Sequence, residues 1–382
     1  GGLDLEPALA ERIVDDPGHR DDRPPQRDSH VFQEKSRKMI RQPPLGIEPV
    51  DGDAVFEQIR HVDLARAAAD LALLTGKIGK ESCGVFVLGE KNNSQGALDM
   101  GATPGLLPGY ADGSDPAERS RFEKAWGMTL PDQPGRGALA ILQGIEEGQI
   151  KGLYLAGENP VVTYPDSTRT KKALSSLDFL VVQDCFLTET ASLAHVVFPA
   201  ATFAEKEGTF TNVDRRVQRV RPALSPLGEA RSDLWIFQNL SRQMGVPLGP
   251  ASAREVNEEI RNLVSFYRGI DYARLDSPGY PAGIQWPCPA PDHPGTPILY
   301  AKEFPRGKAR LIYADSEAGT EGTHSSFVLV TGPTMIHSGS LSTRSPGLVR
   351  LQGESFVLVH PADARDLGLA EGRTVSLESP QG

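Results

Sequence analysis

Residues 151–221 repeat a short apolar run, a polar loop and a helical stretch, and each apolar run stops at a polar residue. Residues 151–156 (KGLYLA) stop at Gly157, Glu158, Asn159 and Pro160, a turn cluster that cannot continue a strand. Asp166 or Ser167 then caps a helix whose apolar positions Ala173, Leu174 and Leu177 recur at helical spacing. Residues 178–182 form an apolar strand of the kind buried on both faces of a parallel sheet, ending at Gln183 and Asp184. A second helix fits residues 188–194, and residues 195–199 (HVVFP) give a third strand closed by proline. Two successive βαβ units result. In such sheets ligands sit outside the carboxyl ends of the strands, so Gly157, Glu158, Asn159, Gln183 and Asp184 would line one crevice. Gly, Asn, Asp and Pro also end strands through turn geometry alone, which leaves a ligand site and an ordinary set of turns both open. Glu158 and Gln183, which are not typical turn residues, favour the site.

Around this unit, residues 55–76 show near-helical apolar spacing with Gly76 as the stop, and residues 138–147 give a helix leading into the first strand. A helix near residues 253–267 precedes a Pro- and Gly-rich crossing at 277–297, long enough to read as a connection between lobes. Residues 309–314, 326–331, 355–359 and 374–377 read as strands, with a short helix at 361–367. Residues 1–54 are crowded with Asp, Arg, Pro, Gln and Lys, and read as a poorly ordered polar arm.

Composition narrows the functional classes. With 382 residues, 39% of them hydrophobic, the chain can build real cores. Its net charge of -10 and the lack of a basic stripe argue against nucleic acid; the densest basic group is Arg215, Arg216, Arg219 and Arg221. No apolar run reaches the length of a membrane span. Cys83, Cys185 and Cys288 are too few and too far apart to hold an iron-sulfur cluster. Isolated His195 and His293 give no protein-ligated metal site, and no catalytic side chain stands out.

The wording of the chain carries a resemblance. LYLAGENP, DFLVVQD, LTETASLAHVVFPAATFAEKEGTFTN and RRVQR resemble the molybdopterin oxidoreductase family, the large subunits of formate dehydrogenase and of NADH-quinone oxidoreductase. LALLTGKIG, NNSQGALDMG, LLPGY, GIQWPCP, HPGTPIL and SLSTRSPGL agree in the same order. The resemblance implies Rossmann-like α/β domains of the DMSO-reductase type over residues 55–250, a connecting segment at 251–323, and the start of a small dinucleotide-binding β-barrel at 324–382. It also implies molybdopterin guanine dinucleotide around molybdenum or tungsten, and iron-sulfur clusters on segments outside this sequence, so that the chain reads as incomplete at both ends. Gly157, Glu158 and Asn159 resemble the family's first strand-end loop, Gln183 and Asp184 the second; His195 takes the place of a family aspartate, and His337 lies where the final domain closes over a pterin.

Three departures weigh on that cofactor. Formate dehydrogenases read RGQNN before QGA-x-DMG, whereas this chain carries Gly89 at the arginine position, with Lys91 two residues on. A guanidinium gives carboxylates a fixed fork of donors, and glycine gives none. The aspartate of ADVVLP is replaced by His195, and the late TGR by Thr331, Gly332, Pro333. These losses favour a homologue of the NADH-quinone oxidoreductase large subunit, a structural and electron-transfer component, cytoplasmic and joined to other subunits, with any membrane association through them. A formate dehydrogenase alpha-type enzyme, and a non-catalytic assembly or nucleotide-binding module, remain the alternatives.

Overall fold

The computed structural model describes residues 58–89, 91–246, 248–304, 307–312, 327, 329–330, 332, 334–337, 339–352 and 355–377, with side chains from residue 64. The polar arm at 1–54, Thr331 and Pro333 lie outside the described residues.

The entry helix α1 (Gln58–Leu74) ends at Gly76 in the left-handed region, φ 63°. After α2 (Ser94–Asp99), β1 (Leu106–Leu107) and β2 (Ala111–Asp112) make a short antiparallel pair. Helix α3 (Pro116–Trp126) follows, started by the Asp115 carboxylate accepting from Ala117 N at 2.8 Å.

The centre is a parallel sheet of β3 (Gly152–Ala156), β4 (Phe179–Asp184) and β5 (Val196–Pro199), in that spatial order. In register, Gly152 faces Phe179 and Val181 faces Val196. The centre strand is apolar because both faces are covered, and alternation sends its side chains to opposite sides. On one side Leu180 and Val182 pack against Leu142 and Ile145 of α4 (Ala138–Glu146) and Ala173 and Leu174 of α6 (Ser167–Ser175). On the other, Tyr154 of β3 lies against Phe237 of α7 (Asp233–Gln243), ring centroids 5.9 Å apart. The sheet is therefore the middle layer of a mixed α/β unit. Helix α6 starts where the sequence predicts, the Asp166 carboxylate accepting from Arg169 N at 2.9 Å.

Between β4 and β5 the expected helix at 188–194 is only a 3-10 turn, Ala191–Leu193. The cause is local: the buried Asn159 Oδ1 takes the Thr190 N–H at 3.1 Å and its hydroxyl at 2.7 Å, and the strands it joins leave little length to wind. After β3 a single turn, α5 (Pro160–Thr163), follows Asn159.

A second layer is antiparallel: β6 (Gly208–Thr211), β7 (Arg216–Val220) and β8 (Ile284–Gln285). Residues 277–297, expected as a crossing between lobes, contribute β8 and the fully buried Ile284 and Cys288. They pack with Val217, Val264 at the end of α8 (Ala253–Leu263), Tyr267, Ile270 and Leu275 of α9 (Tyr272–Leu275). The expected 253–267 helix breaks at Val264 into a 3-10 turn, Ser265–Tyr267, which lets Val264 and Tyr267 both enter this core.

One buried charge ties this layer to the start of the fold. Asp99 ends α2 with no exposure; Tyr110 Oη at 2.6 Å and Gln95 Nε2 at 2.9 Å donate to its Oδ1, and Tyr267 Oη at 2.5 Å and Trp286 Nε1 at 2.8 Å to its Oδ2. A buried carboxylate is tolerable only with donors filling its lone pairs, as here. Burial, then Asp99, pushes the Tyr110 and Tyr267 hydroxyls above their ordinary range, so both stay protonated donors.

Toward the far end, α10 (Pro346–Gln352) and the expected helix at 361–367, α11 (Pro361–Asp366), form. The strands of the small barrel do not: among the described residues of 309–312, 327–330, 355–359 and 374–377 none is in a ladder. Leu329, Val330, Phe356 and Leu358 stand exposed. A strand without partners leaves its backbone unpaired and its apolar side chains unburied, so alternation in sequence alone does not make a sheet.

Leu180 has no exposed surface, while Leu187, just past the same strand, is 70% exposed. Leu180→Ala is expected to lower unfolding free energy by about 2–5 kcal/mol through the cavity it leaves, and Leu187→Ala by less than about 0.5 kcal/mol, both read from urea midpoints.

Candidate functional site

The carboxyl ends of β3 and β4 lie side by side, the edge where parallel α/β sheets take ligands, and the loop leaving β4 meets the turn at residues 339–344 through Glu189 and Arg344; the space between these segments is the candidate crevice. Gly157 turns out of β3 with φ 69°, no atom lying within 4 Å of where a Cβ would be, and its N–H extends the pairing to Gln183 O at 2.8 Å. Glu158 follows at the surface; burial raises its carboxyl pKa, Lys91 opposes that shift and Asp184 adds to it. Asp184 is buried at the end of β4, with Oδ1 taking the Phe186 N–H at 3.3 Å.

Asn159 and Gln183, expected beside these as ligand contacts, have side chains committed inside the protein. Gln183 Oε1 accepts from Tyr154 Oη, and its Nε2 donates to Asp233 Oδ1 at 2.6 Å, bridging β4 to α7. Asn159 fastens the loop after β3 to the loop after β4: beyond its bonds to Thr190, Nδ2 donates to Glu189 Oε2 at 2.9 Å.

His195 does not join the group. Parallel register sets it beside Leu180, with Nδ1 accepting the Leu180 N–H at 2.9 Å and its own N–H reaching Leu180 O at 2.8 Å. Leu180 lies four residues before Asp184, about 13 Å along a strand, so His195 sits at the amino end of the sheet. Histidine there pairs with the first residues of β4, away from Glu158 and Asp184.

The opposite wall comes from distant segments. Lys91 Nζ lies 3.0 Å from where a Cβ on Gly339 would stand, and Arg344 Nη2 donates to both Glu189 oxygens at 2.8 Å. His337 stands on the same turn, its backbone N–H donating to Thr334 Oγ1 at 3.1 Å and its Nδ1 lying 3.3 Å from Ser342 Oγ. Gly89, where the formate dehydrogenase motif carries arginine, is packed so that a Cβ would come 2.8 Å from Ser94. An arginine there would displace Ser94. Glu189 and Arg344 are absent from the sequence-based expectations although both fall in motifs that carry the resemblance, LTETASLA and SLSTRSPGL; the usable signal was an acidic residue in one strand-end loop and a basic residue in an otherwise uncharged turn.

Chemically, the first wall offers carboxylate acceptors, suited to paired N–H donors of a purine edge, and an open glycine for close approach. The second brings cations, suited to phosphate oxygens. Cys185 beside Asp184 has its thiol pushed up to about 11, chiefly by burial and then by Asp184, which keeps it out of redox chemistry at neutral pH. Among the described residues no cluster of three or more His, Cys, Asp or Glu is placed to hold a metal ion, and no helix is long and apolar enough to cross a membrane.

A parallel α/β sheet with carboxylates at its strand ends is an arrangement that nucleotide-cofactor domains share. The family model for molybdopterin oxidoreductases matches residues 50–243, and that for the molybdopterin dinucleotide-binding domain matches residues 327–382. The chain belongs to the molybdopterin oxidoreductase family, and its cofactor class is molybdopterin guanine dinucleotide. It is 42% identical over 331 residues, 84% of this chain and 48% of the relative, to the F420-dependent formate dehydrogenase subunit alpha of Methanocaldococcus jannaschii. It is 38% identical over 337 residues, 86% of this chain and 49% of the relative, to F420-dependent formate dehydrogenase 2 subunit alpha of Methanococcus maripaludis. The chain thus spans about half the length of these curated relatives. An acetylene hydratase from Pelobacter acetylenicus superposes over 67% of this chain and 38% of its own, at 18% identity and a TM-score of 0.38. Both of these relatives are alpha subunits named for formate dehydrogenase, and the preference for the NADH-quinone branch finds no support in them.

Because burial holds the Cys185 thiol near 11, its alkylation by iodoacetamide should keep accelerating from pH 8 to pH 10, where an ordinary thiol levels off near about 8.5–9. Peptide mass spectrometry of the time course reads this; a plateau near pH 9 would contradict the burial.

Proposed function

We propose that the chain is the cofactor-binding part of a formate dehydrogenase alpha-type subunit, which in the whole protein oxidises formate to carbon dioxide and passes the electrons to other subunits. The observation that carries it is the 42% identity over 331 residues to an alpha subunit of that name. Residues 55–250 then carry the α/β cofactor domain, 251–323 the segment that packs the antiparallel layer onto it, and 324–382 the dinucleotide-binding segment. The subunit works in the cytoplasm, and any membrane association comes through its partners.

The residues fit such a cofactor. Asp184 and Glu158 accept from a guanine edge, both standing at the carboxyl ends of the strands with Glu158 at the surface. Gly157 leaves room for close approach. Lys91 supplies positive charge to phosphate or substrate from the far wall, two residues from the position where glycine replaces arginine. The bound molybdenum or tungsten centre supplies the redox chemistry; these side chains bind, orient and neutralise. Asn159 and Gln183 shape the wall from inside it. The argument for cofactor loss weakens once His195 is at the other end of the sheet.

The deciding experiment is metal and pterin analysis of the full-length protein purified from its native host. About one molybdenum or tungsten and about two pterins per chain are expected; iron without molybdenum, tungsten or pterin would return the NADH-quinone reading. Asp184→Asn preserves the acceptor for Phe186 but loses the charge, and should lower pterin retention by about tenfold or more, measured by fluorescence of oxidised pterin after gel filtration.

A further inference from the structure

Asn159 is buried with its side chain bonded to protein groups, yet its bonds lead outward. Its amide, 6% exposed, is fixed by Thr190 and in turn fixes Glu189, whose two oxygens receive Arg344. Arg344 ends the 3-10 turn Ser342–Arg344, folded on itself by Ser342 Oγ donating to Gly339 O at 2.9 Å and Thr343 Oγ1 to Ser340 O at 2.7 Å. The turn also meets the crevice at Gly339, against the Lys91 ammonium. Gly339 has φ 131°, so a side chain there would be strained as well as crowded. One anchor, Arg344 on Glu189, therefore holds this turn against the loop after β4, with Gly339 lying close to Lys91.

We propose that Glu189 and Arg344 form a latch that holds residues 339–345 over the crevice and governs how long a dinucleotide cofactor stays bound. The retention half rests on the function proposed above; the latch itself does not. An isolated surface ion pair contributes little, because two long side chains must be immobilised to form it. Here the Asn159 amide has already oriented the carboxylate, so less freedom is lost when Arg344 docks. The hydrogen bond from Asn159, with Arg344 adding to it, also holds the Glu189 carboxyl below its ordinary pKa, consistent with an anion at neutral pH.

The test uses the full-length protein with its natural partner subunits, as wild type, Glu189→Gln, Arg344→Gln and the double variant. The side-chain amide brought in by Glu189→Gln can still accept from Asn159, so the strand-end loops keep their link. Hydrogen exchange by mass spectrometry should show peptides covering 339–345 exchanging about fivefold faster in each single variant, the double variant no faster than either, and β4 unchanged. Unchanged exchange, or effects of the two substitutions that simply multiply, overturns the latch. Pterin release after dilution is followed in parallel and should accelerate in the same variants. A turn that loosens while pterin release stays at the wild-type rate overturns the retention role and counts against a cofactor in this crevice, leaving the latch standing.

Discussion

The crevice depends on the Asn159 side chain accepting two hydrogen bonds from Thr190. A parallel sheet fixes where strands end but not where the following loops go, since each leaves on its own course. Asn159 removes that freedom by making the loop after β3 and the loop after β4 one object. Glu158 and Asp184 then share one electrostatic environment, visible in the effect of Asp184 on the Glu158 carboxyl. The same amide shortens the β4 to β5 connection into a 3-10 turn and aims Glu189 at Arg344.

Much of this is legible in residue order. Apolar runs at 151–156 and 178–182, each followed by polar strand ends, specify the parallel sheet and its carboxyl edge; the second is the buried central strand, whose coverage on both faces demands that pattern, and the first a half-exposed edge strand. Glu158 stands out because turn geometry does not require glutamate. What residue order does not show is the direction in which amides point. Asn159 and Gln183 read as ligand contacts, but both are buried and bonded to Thr190, Glu189, Tyr154 and Asp233. His195 goes astray for a different reason: a motif position says nothing of register, and one parallel pairing sets this residue at the opposite edge.

The functional inference turns on the same point. Gly89, His195 and Pro333 together point away from a pterin enzyme when each is counted as a lost contact. Geometry removes His195 from that count, and Lys91 brings a cation to the crevice from two residues beyond Gly89. Charge at a site belongs to the surface that faces the ligand, and several backbone positions can supply it.

Asp99 has a consequence for how this polypeptide can be divided. Its carboxylate is shared among Gln95, Tyr110, Tyr267 and Trp286, donors separated from it by up to 187 residues of chain. A polypeptide stopped at Gly249, a natural place to cut on sequence grounds, would retain the buried anion and lose two of those four donors. The lost donors are also part of what covers Asp99, so the cut would open this carboxylate to water and undo the packing that holds α2 in place. The start of the fold is thus completed by residues 267–286, and a boundary drawn at Gly249 would divide one hydrogen-bonded cluster.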